Sequence, residues 1–99
     1  MLGALDMSEQ KSWVNIVLEA LEELGANERA VSIDELYSTV KKIAPARCND
    51  SDVYTYNNRG RLRSEPRWKR NVRDALVKLK RKGVVVSEGR GKWKLAKIS

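Results

Sequence analysis

Apolar residues recur at helical spacing in three stretches of the chain. Trp13, Ile16, Val17, Ala20, Leu21 and Leu24 make the first; Ile33, Leu36, Tyr37, Val40 and Ile43 the second; Trp68, Val72, Ala75, Leu76 and Leu79 the third. Steps of three and four residues return a side chain to one face at 3.6 residues per turn, so each stretch predicts an amphipathic helix with a buried stripe. Near the C-terminus the period changes. Val84-Val85-Val86-Ser87-Glu88, then Gly89-Arg90-Gly91-Lys92, then Trp93-Lys94-Leu95-Ala96-Lys97-Ile98 pairs β-branched residues with a glycine-flanked turn and an alternating run. That pattern predicts a β-hairpin over 84–98, with Trp93 and Leu95 inward and Arg90, Lys92 and Lys94 outward.

Local signals set the boundaries. The first helix is expected from Met7 or Ser8 to Leu24, capped by Asp6 with Glu9 or by Ser8, and stopped at Gly25. Ser32-Ile33-Asp34-Glu35 reads as a capping box for the second, which Pro45 ends. The third is expected over 65–82. Pro66 suits the first turn, Lys80, Arg81 and Lys82 suit the negative end of the dipole, and Gly83 supplies the stop. Ala30-Val31 adds a strand-like segment, and Met1 to Asp6 reads as a loose end.

Residues 45–63, PARCNDSDVYTYNNRGRLR, show little periodicity and read as a long basic loop. Ser51 or Asp52 is placed to start a short helical turn. A structureless connection of such length is unusual, so the segment is functional, mobile or hides an element. Three helices followed by a hairpin predict a single α+β domain over 1–99, mainly α: a winged helix-turn-helix with the hairpin as wing.

Charge changes this picture most. The chain has a net charge of +7, unevenly spread: residues 1–44 carry four basic and eight acidic residues, residues 45–99 sixteen basic and five acidic. Such asymmetry favours a polyanion partner over an evenly solvated basic surface. The acidic first helix reads as scaffold, turned away from any phosphate backbone. No apolar run reaches membrane length, and one cysteine with no signal-peptide pattern makes a reducing cytoplasm the expected compartment, without membrane attachment.

Catalytic chemistry finds no residues to carry it. Histidine is absent, and no phosphate-binding glycine loop or metal-ligand cluster stands in the sequence, so a non-enzyme without cofactor or metal is expected. Asp50 and Asp52 read as turn or capping residues rather than ligands. Cys48 lies in a basic stretch able to lower its pKa, but it lacks a base partner and reads as an ordinary cysteine.

Binding residues, by contrast, cluster on the outward face of the third helix. Arg67, Arg70, Asn71, Arg73 and Asp74 occupy its first turns, from which base edges are usually reached in a DNA major groove. Arginine grips guanine in a bidentate fork and asparagine does the same for adenine. Asp74 either orients Arg70 or accepts from cytosine. Lys69, Lys78, Arg81 and Lys82 suit phosphates. Arg90 at the wing tip either enters a minor groove, sits on the backbone or only keeps the hairpin tip soluble, and Lys92 beside it counts among the DNA contacts. Val77, apolar on the outward face, either touches a thymine or methylcytosine methyl or packs under the long loop, the second being favoured. Tyr54 and Tyr56, among Arg47, Arg59, Arg61 and Arg63, either stack on bases while the arginines clasp phosphates or cap the core, the second again being favoured. The expected partner is therefore double-stranded DNA; a protein-interaction module and a structured-RNA binder are the alternatives.

Leu21-Glu22-Glu23-Leu24-Gly25, Glu35-Leu36-Tyr37, Pro66-Arg67-Trp68, Val72-Arg73-Asp74-Ala75-Leu76, Leu79, Gly83, Arg90-Gly91 and Trp93-Lys94-Leu95 together resemble the N-terminal winged-helix domain of Mrr-type restriction endonucleases and related winged modules of modification-dependent restriction systems. The likeness spans most of residues 13 to 96 and is largely a core-and-turn pattern. It implies DNA binding, with cleavage left to a separate nuclease domain or subunit. The chain is expected to be a free-standing relative or a piece of a longer protein.

Overall fold

A computed structural model describes residues 11–96. Helix α1 spans Trp13–Glu23, and Ser12 caps it by accepting the Asn15 amide at 3.2 Å. It thus starts later than Met7 or Ser8, because Ser12 takes the cap directly before the apolar stripe. The capping candidates Asp6, Ser8 and Glu9, like the loose end, lie outside the described residues. Strand β1 is Val31–Ser32, and helix α2 follows over Ile33–Ile43. The capping box forms as the spacing predicts: the Glu35 amide donates to Ser32 Oγ at 3.1 Å, and the Ser32 amide to Glu35 Oε1 at 3.2 Å. Pro45 opens a 3₁₀ turn over Pro45–Arg47.

The expected long loop hides an element. Val53–Asn58 (β2) and Arg61–Pro66 (β3) form an antiparallel ribbon, in register from Val53 opposite Pro66 to Asn58 opposite Arg61. The two residues between them, Arg59 and Gly60, have φ of +56° and +83°. Positive φ at both central positions makes the tight turn whose twist matches the strands, and glycine adopts it without a Cβ penalty. No helical turn begins at Ser51 or Asp52.

Pairing of Glu65 and Pro66 with β2 also moves the third helix. Helix α3 spans Arg67–Arg81, not 65–82, with Pro66 in the cap position and the Arg67 amide donating to Asp52 O at 2.8 Å. Its far end closes at Gly83, with φ +77°: Val84 N–H reaches Leu79 O at 2.9 Å and Gly83 N–H reaches Lys80 O at 3.0 Å. These two hydrogen bonds satisfy carbonyls the helix would otherwise leave unpaired; Gly25 closes α1 in the same way.

Strands β4 (Val85–Ser87) and β5 (Lys92–Leu95) form the C-terminal hairpin. Strand β1 adds to it, giving the order β1-β5-β4 with Val31 opposite Trp93 and Val85 opposite Leu95. Residues 97–99 lie outside the described part. The protein is a small α+β domain with three helices among the described residues. Its core joins Ile16, Val17, Ala20 and Leu21 of α1, Leu36 and Val40 of α2, and Trp68, Val72, Ala75, Leu76 and Leu79 of α3, with Val31 and Val85 sealing the small sheet. These are the stripes read from the sequence, and each fully buried Leu, Ile or Val contributes about 1.5–3 kcal/mol. Trp93 and Leu95 pack against this core from its edge. No helix among the described residues is long and apolar enough to cross a membrane.

Candidate functional site

Most of the cationic side chains lie on α3, on the β2–β3 arm that precedes it and on the C-terminal hairpin that follows it. The arm's strand register fixes which residues face inward. Tyr54, Tyr56 and Asn58 on β2 share a face with their cross-strand neighbours Glu65, Arg63 and Arg61. At the arm's base this face meets the start of α3. Tyr54 lies under two guanidinium groups, Arg70 at 5.4 Å and Arg67 at 5.7 Å from the ring centroid. The Tyr54 hydroxyl donates to Glu65 Oε2 at 2.5 Å. Burial and the neighbouring Glu65 carboxylate push its phenol pKa up.

Arg73 is the hub of this junction. It donates to both Glu65 oxygens, to Tyr37 Oη at 3.2 Å and to Tyr54 Oη at 3.3 Å. Its guanidinium holds the Glu65 carboxyl below its ordinary range, even though burial acts the other way. The Arg73 side chain, expected at the DNA surface, ties α3, α2 and the arm together and remains 42 % exposed. Four hydrogen bonds within the fold engage its two terminal amino groups.

The other expected contact residues divide by position. Arg67 Nε is 3.4 Å from Asp52 Oδ1. Arg70 is exposed, and its Nε stands 3.9 Å from Asp74 Oδ2, the helical i,i+4 pairing expected if Asp74 orients it. Such exposed pairs contribute little and leave the guanidinium available. Lys69 covers the rings of Tyr37 and Trp68, its ammonium 5.1 and 5.8 Å from their centroids. Asn71 is half-buried, whereas Lys78, Arg81 and Lys82 are exposed along the later turns. Val77, 45 % exposed, does not pack under the segment before α3. It lines a cleft with Ile33, Tyr37, Gly91 and Trp93, between α3 and the C-terminal hairpin.

Neither Tyr54 nor Tyr56 belongs to the core cluster, so the favoured core-capping reading is corrected. The two rings lie 5.5 Å apart along the arm. Arg59, Arg61 and Arg63 are exposed, and with Asn58 they line a hollow that Arg90 of the C-terminal hairpin completes. Lys92 is exposed beside Arg90.

Comparison with protein-family models, with curated proteins and with solved structures gives no match.

Two residues of the junction carry no signal of it in the sequence. Glu65 reads as part of a helix start, yet it faces Arg73. Tyr37 reads as part of a helical stripe, yet its hydroxyl accepts from Arg73. The run Val53-Tyr54-Thr55-Tyr56 before Asn57-Asn58-Arg59-Gly60 is the available signal, since β-branched and aromatic residues before a glycine turn favour a hairpin.

Both acidic loop residues have structural partners. Asp50 accepts from the Trp68 indole at 2.9 Å and pairs with Lys41, while Asp52 holds Arg67. Lys41 and then Trp68 hold the Asp50 carboxyl below its ordinary range. Cys48 is buried, which pushes its thiol pKa up to about 11; Asp50 adds to the shift, while Lys41 and Arg47 oppose it. Burial outweighs the basic neighbours that the sequence suggested would lower it. Native Cys48 is therefore expected to react with an aromatic disulfide reagent at mildly alkaline pH far more slowly than in urea-unfolded chain. Equal rates in the two states would contradict its burial.

Proposed function

We propose that this domain is a winged-helix module that binds double-stranded DNA. In this reading α3 enters the major groove, Arg70 and Asn71 reach base edges, and Lys69, Lys78, Arg81, Arg90 and Lys92 hold phosphates. The observation that carries it is the charge distribution around α3. Arg59, Arg61, Arg63, Lys78, Arg81, Arg90 and Lys92 form no ion pair with a carboxylate of the described residues. Cations left unpaired on three neighbouring elements repel one another until a polyanion neutralises them. The resemblance to Mrr-type modules supports a place in a restriction system, the nuclease being a separate domain or subunit.

A duplex of about 20 base pairs, titrated by fluorescence anisotropy, tests this. With about six phosphate contacts, affinity falls on the order of a thousandfold between 50 and 200 mM salt. Arg70→Ala weakens binding by about 1 kcal/mol. Affinity indifferent to salt would reject the reading, and preferential competition by duplex RNA would favour shape recognition of RNA.

A protein-interaction role has one observation in its favour. On the acidic side, Leu18, Val84 and Leu95 line a hollow edged by Glu22 and Glu28. Binding there would be nearly insensitive to Arg70→Ala.

A further inference from the structure

The β2–β3 arm joins the fold at its base, through Glu65 and Tyr54, and projects beyond it. Apart from Tyr54, Tyr56, Glu65 and Pro66, every residue of its two strands is exposed. A lone two-stranded ribbon is only marginally stable in water. Here it is anchored at its base alone, by Glu65 and Tyr54 on Arg73 and by Asp52 on Arg67. No residue of the far end belongs to the core cluster of the described residues. Arg59 sits at φ +56°, where a side chain is strained and glycine or asparagine would turn more easily. Arg61 and Arg63 follow on the inner face, so three arginines crowd within five residues.

This tip meets a second one. Arg90, at the turn of the C-terminal hairpin, shares with Arg59, Arg61 and Arg63 a hollow of about 460 Å³. Asn58 is the remaining lining residue, and no carboxylate lines it. Glu88, on the same hairpin as Arg90, forms no ion pair among the described residues. Four guanidinium groups from two separate hairpins thus face one space without a counter-charge. Arginine's planar fork matches a phosphate's oxygens in bidentate fashion, and several forks round one hollow suit a single oxyanion approached from different sides.

We propose that the two hairpin tips act as a jaw on one segment of the DNA backbone. Arg59, Arg61 and Arg63 hold its phosphodiester from the arm side and Arg90 from the other. The hollow has ample room for a phosphodiester and its sugars. This inference rests on the duplex-DNA reading and adds to it a second grip, independent of base reading by α3, in which the arm and the C-terminal hairpin serve the same phosphate.

Sharing makes the two sides energetically coupled, and a double-mutant cycle reads that coupling. The variants are Arg61→Gln with Arg63→Gln on the arm, Arg90→Gln on the hairpin, and all three together, each in the full chain with its melting curve as folding control. Binding to the same 20-base-pair duplex is followed by anisotropy at about 100 mM salt, in the range where phosphate contacts dominate. Arm and hairpin variants each weaken binding about tenfold, and their combination falls short of the hundredfold product by about threefold or more. The weakening is the same for duplexes of unrelated sequence, because phosphates carry no sequence information. A combined loss equal to the product means separate phosphates and overturns the jaw. Unchanged affinity in these variants, with Arg70→Ala still impaired, overturns it too while leaving the DNA reading intact. A wild-type chain that fails to retain duplex DNA even at about 50 mM salt removes that reading itself, and the jaw with it.

Discussion

Trp68→Ala lowers the unfolding free energy by about 3–5 kcal/mol, a large share of the roughly 5–15 kcal/mol available to a domain. The indole is only 4 % exposed and sits in the second position of α3, under the junction with the arm. It packs edge-on against Tyr37 with ring centroids 5.6 Å apart, and its N–H donates to Asp50 Oδ1 at 2.9 Å. Truncation opens a cavity and also leaves Asp50 and Lys41 without the ring that aligns them. Urea melts followed by far-UV circular dichroism measure the loss. Trp68→Phe keeps the ring but not the donor, so it loses less, about 1–2 kcal/mol, leaving the half-exposed Asp50 to water. If Trp68→Ala melts like wild type, α3 is not anchored through this ring and its outward face has no fixed direction.

The anchoring of α3 was readable because burial imposes periodicity. Trp68, Val72, Ala75, Leu76 and Leu79 are all buried, and they are the residues whose spacing predicted a stripe. The capping box at Ser32 and the left-handed stops at Gly25 and Gly83 were readable for a related reason. Their chemistry is local, confined to a few consecutive residues. The arm offers neither signal. Both its faces are largely wet, so Val53 to Pro66 lacks the alternation of apolar and polar residues that marks a half-buried strand. Only the β-branched and aromatic run and the glycine turn pointed to it, and the arginines around that turn masked them as a basic loop.

The junction was hidden by sequence distance. Arg73 lies on the outward face of an isolated helix, and helical geometry alone makes it a surface residue. What occupies it is Glu65, eight positions earlier on a strand the sequence did not disclose, and Tyr54, nineteen positions earlier on that strand's partner. The convergence of Arg90 with Arg59, Arg61 and Arg63 has the same origin, since each hairpin by itself looks like a charged, soluble tip. Charge composition shows the excess of cations; only the tertiary placement of two hairpins brings four of them round one hollow.

Arg73→Ala costs about 2–3 kcal/mol and changes how stability responds to acid. The Glu65 side chain is only 15 % exposed and accepts from Arg73 on both oxygens. Without the guanidinium, a poorly hydrated carboxylate keeps only the Tyr54 hydroxyl, and breaking one side of such a pair costs more than an exposed ion pair contributes. In the wild-type protein the Glu65 pKa is lowered from its ordinary 4.5, first by the Arg73 hydrogen bonds. A depressed carboxyl pKa means that the unfolded chain binds the proton more readily. The stabilisation is therefore complete above the unfolded value near 4.5 and is lost as pH falls through the lower folded value. Glu35 and Asp50 are lowered in the same direction, so the wild-type acid profile alone does not isolate Glu65. The difference between wild type and Arg73→Ala does: in urea melts the gap is largest at neutral pH and narrows as Glu65 protonates. A gap that stays constant from pH 7 down to about 2.5, below the ordinary carboxyl range, would assign the cost to lost packing rather than to the ion pair. Because Arg73 also fixes the arm to α3, the variant is expected to bind duplex DNA more weakly than its residual folded fraction explains, and Arg73→Lys, a charge without the fork, to restore stability only in part.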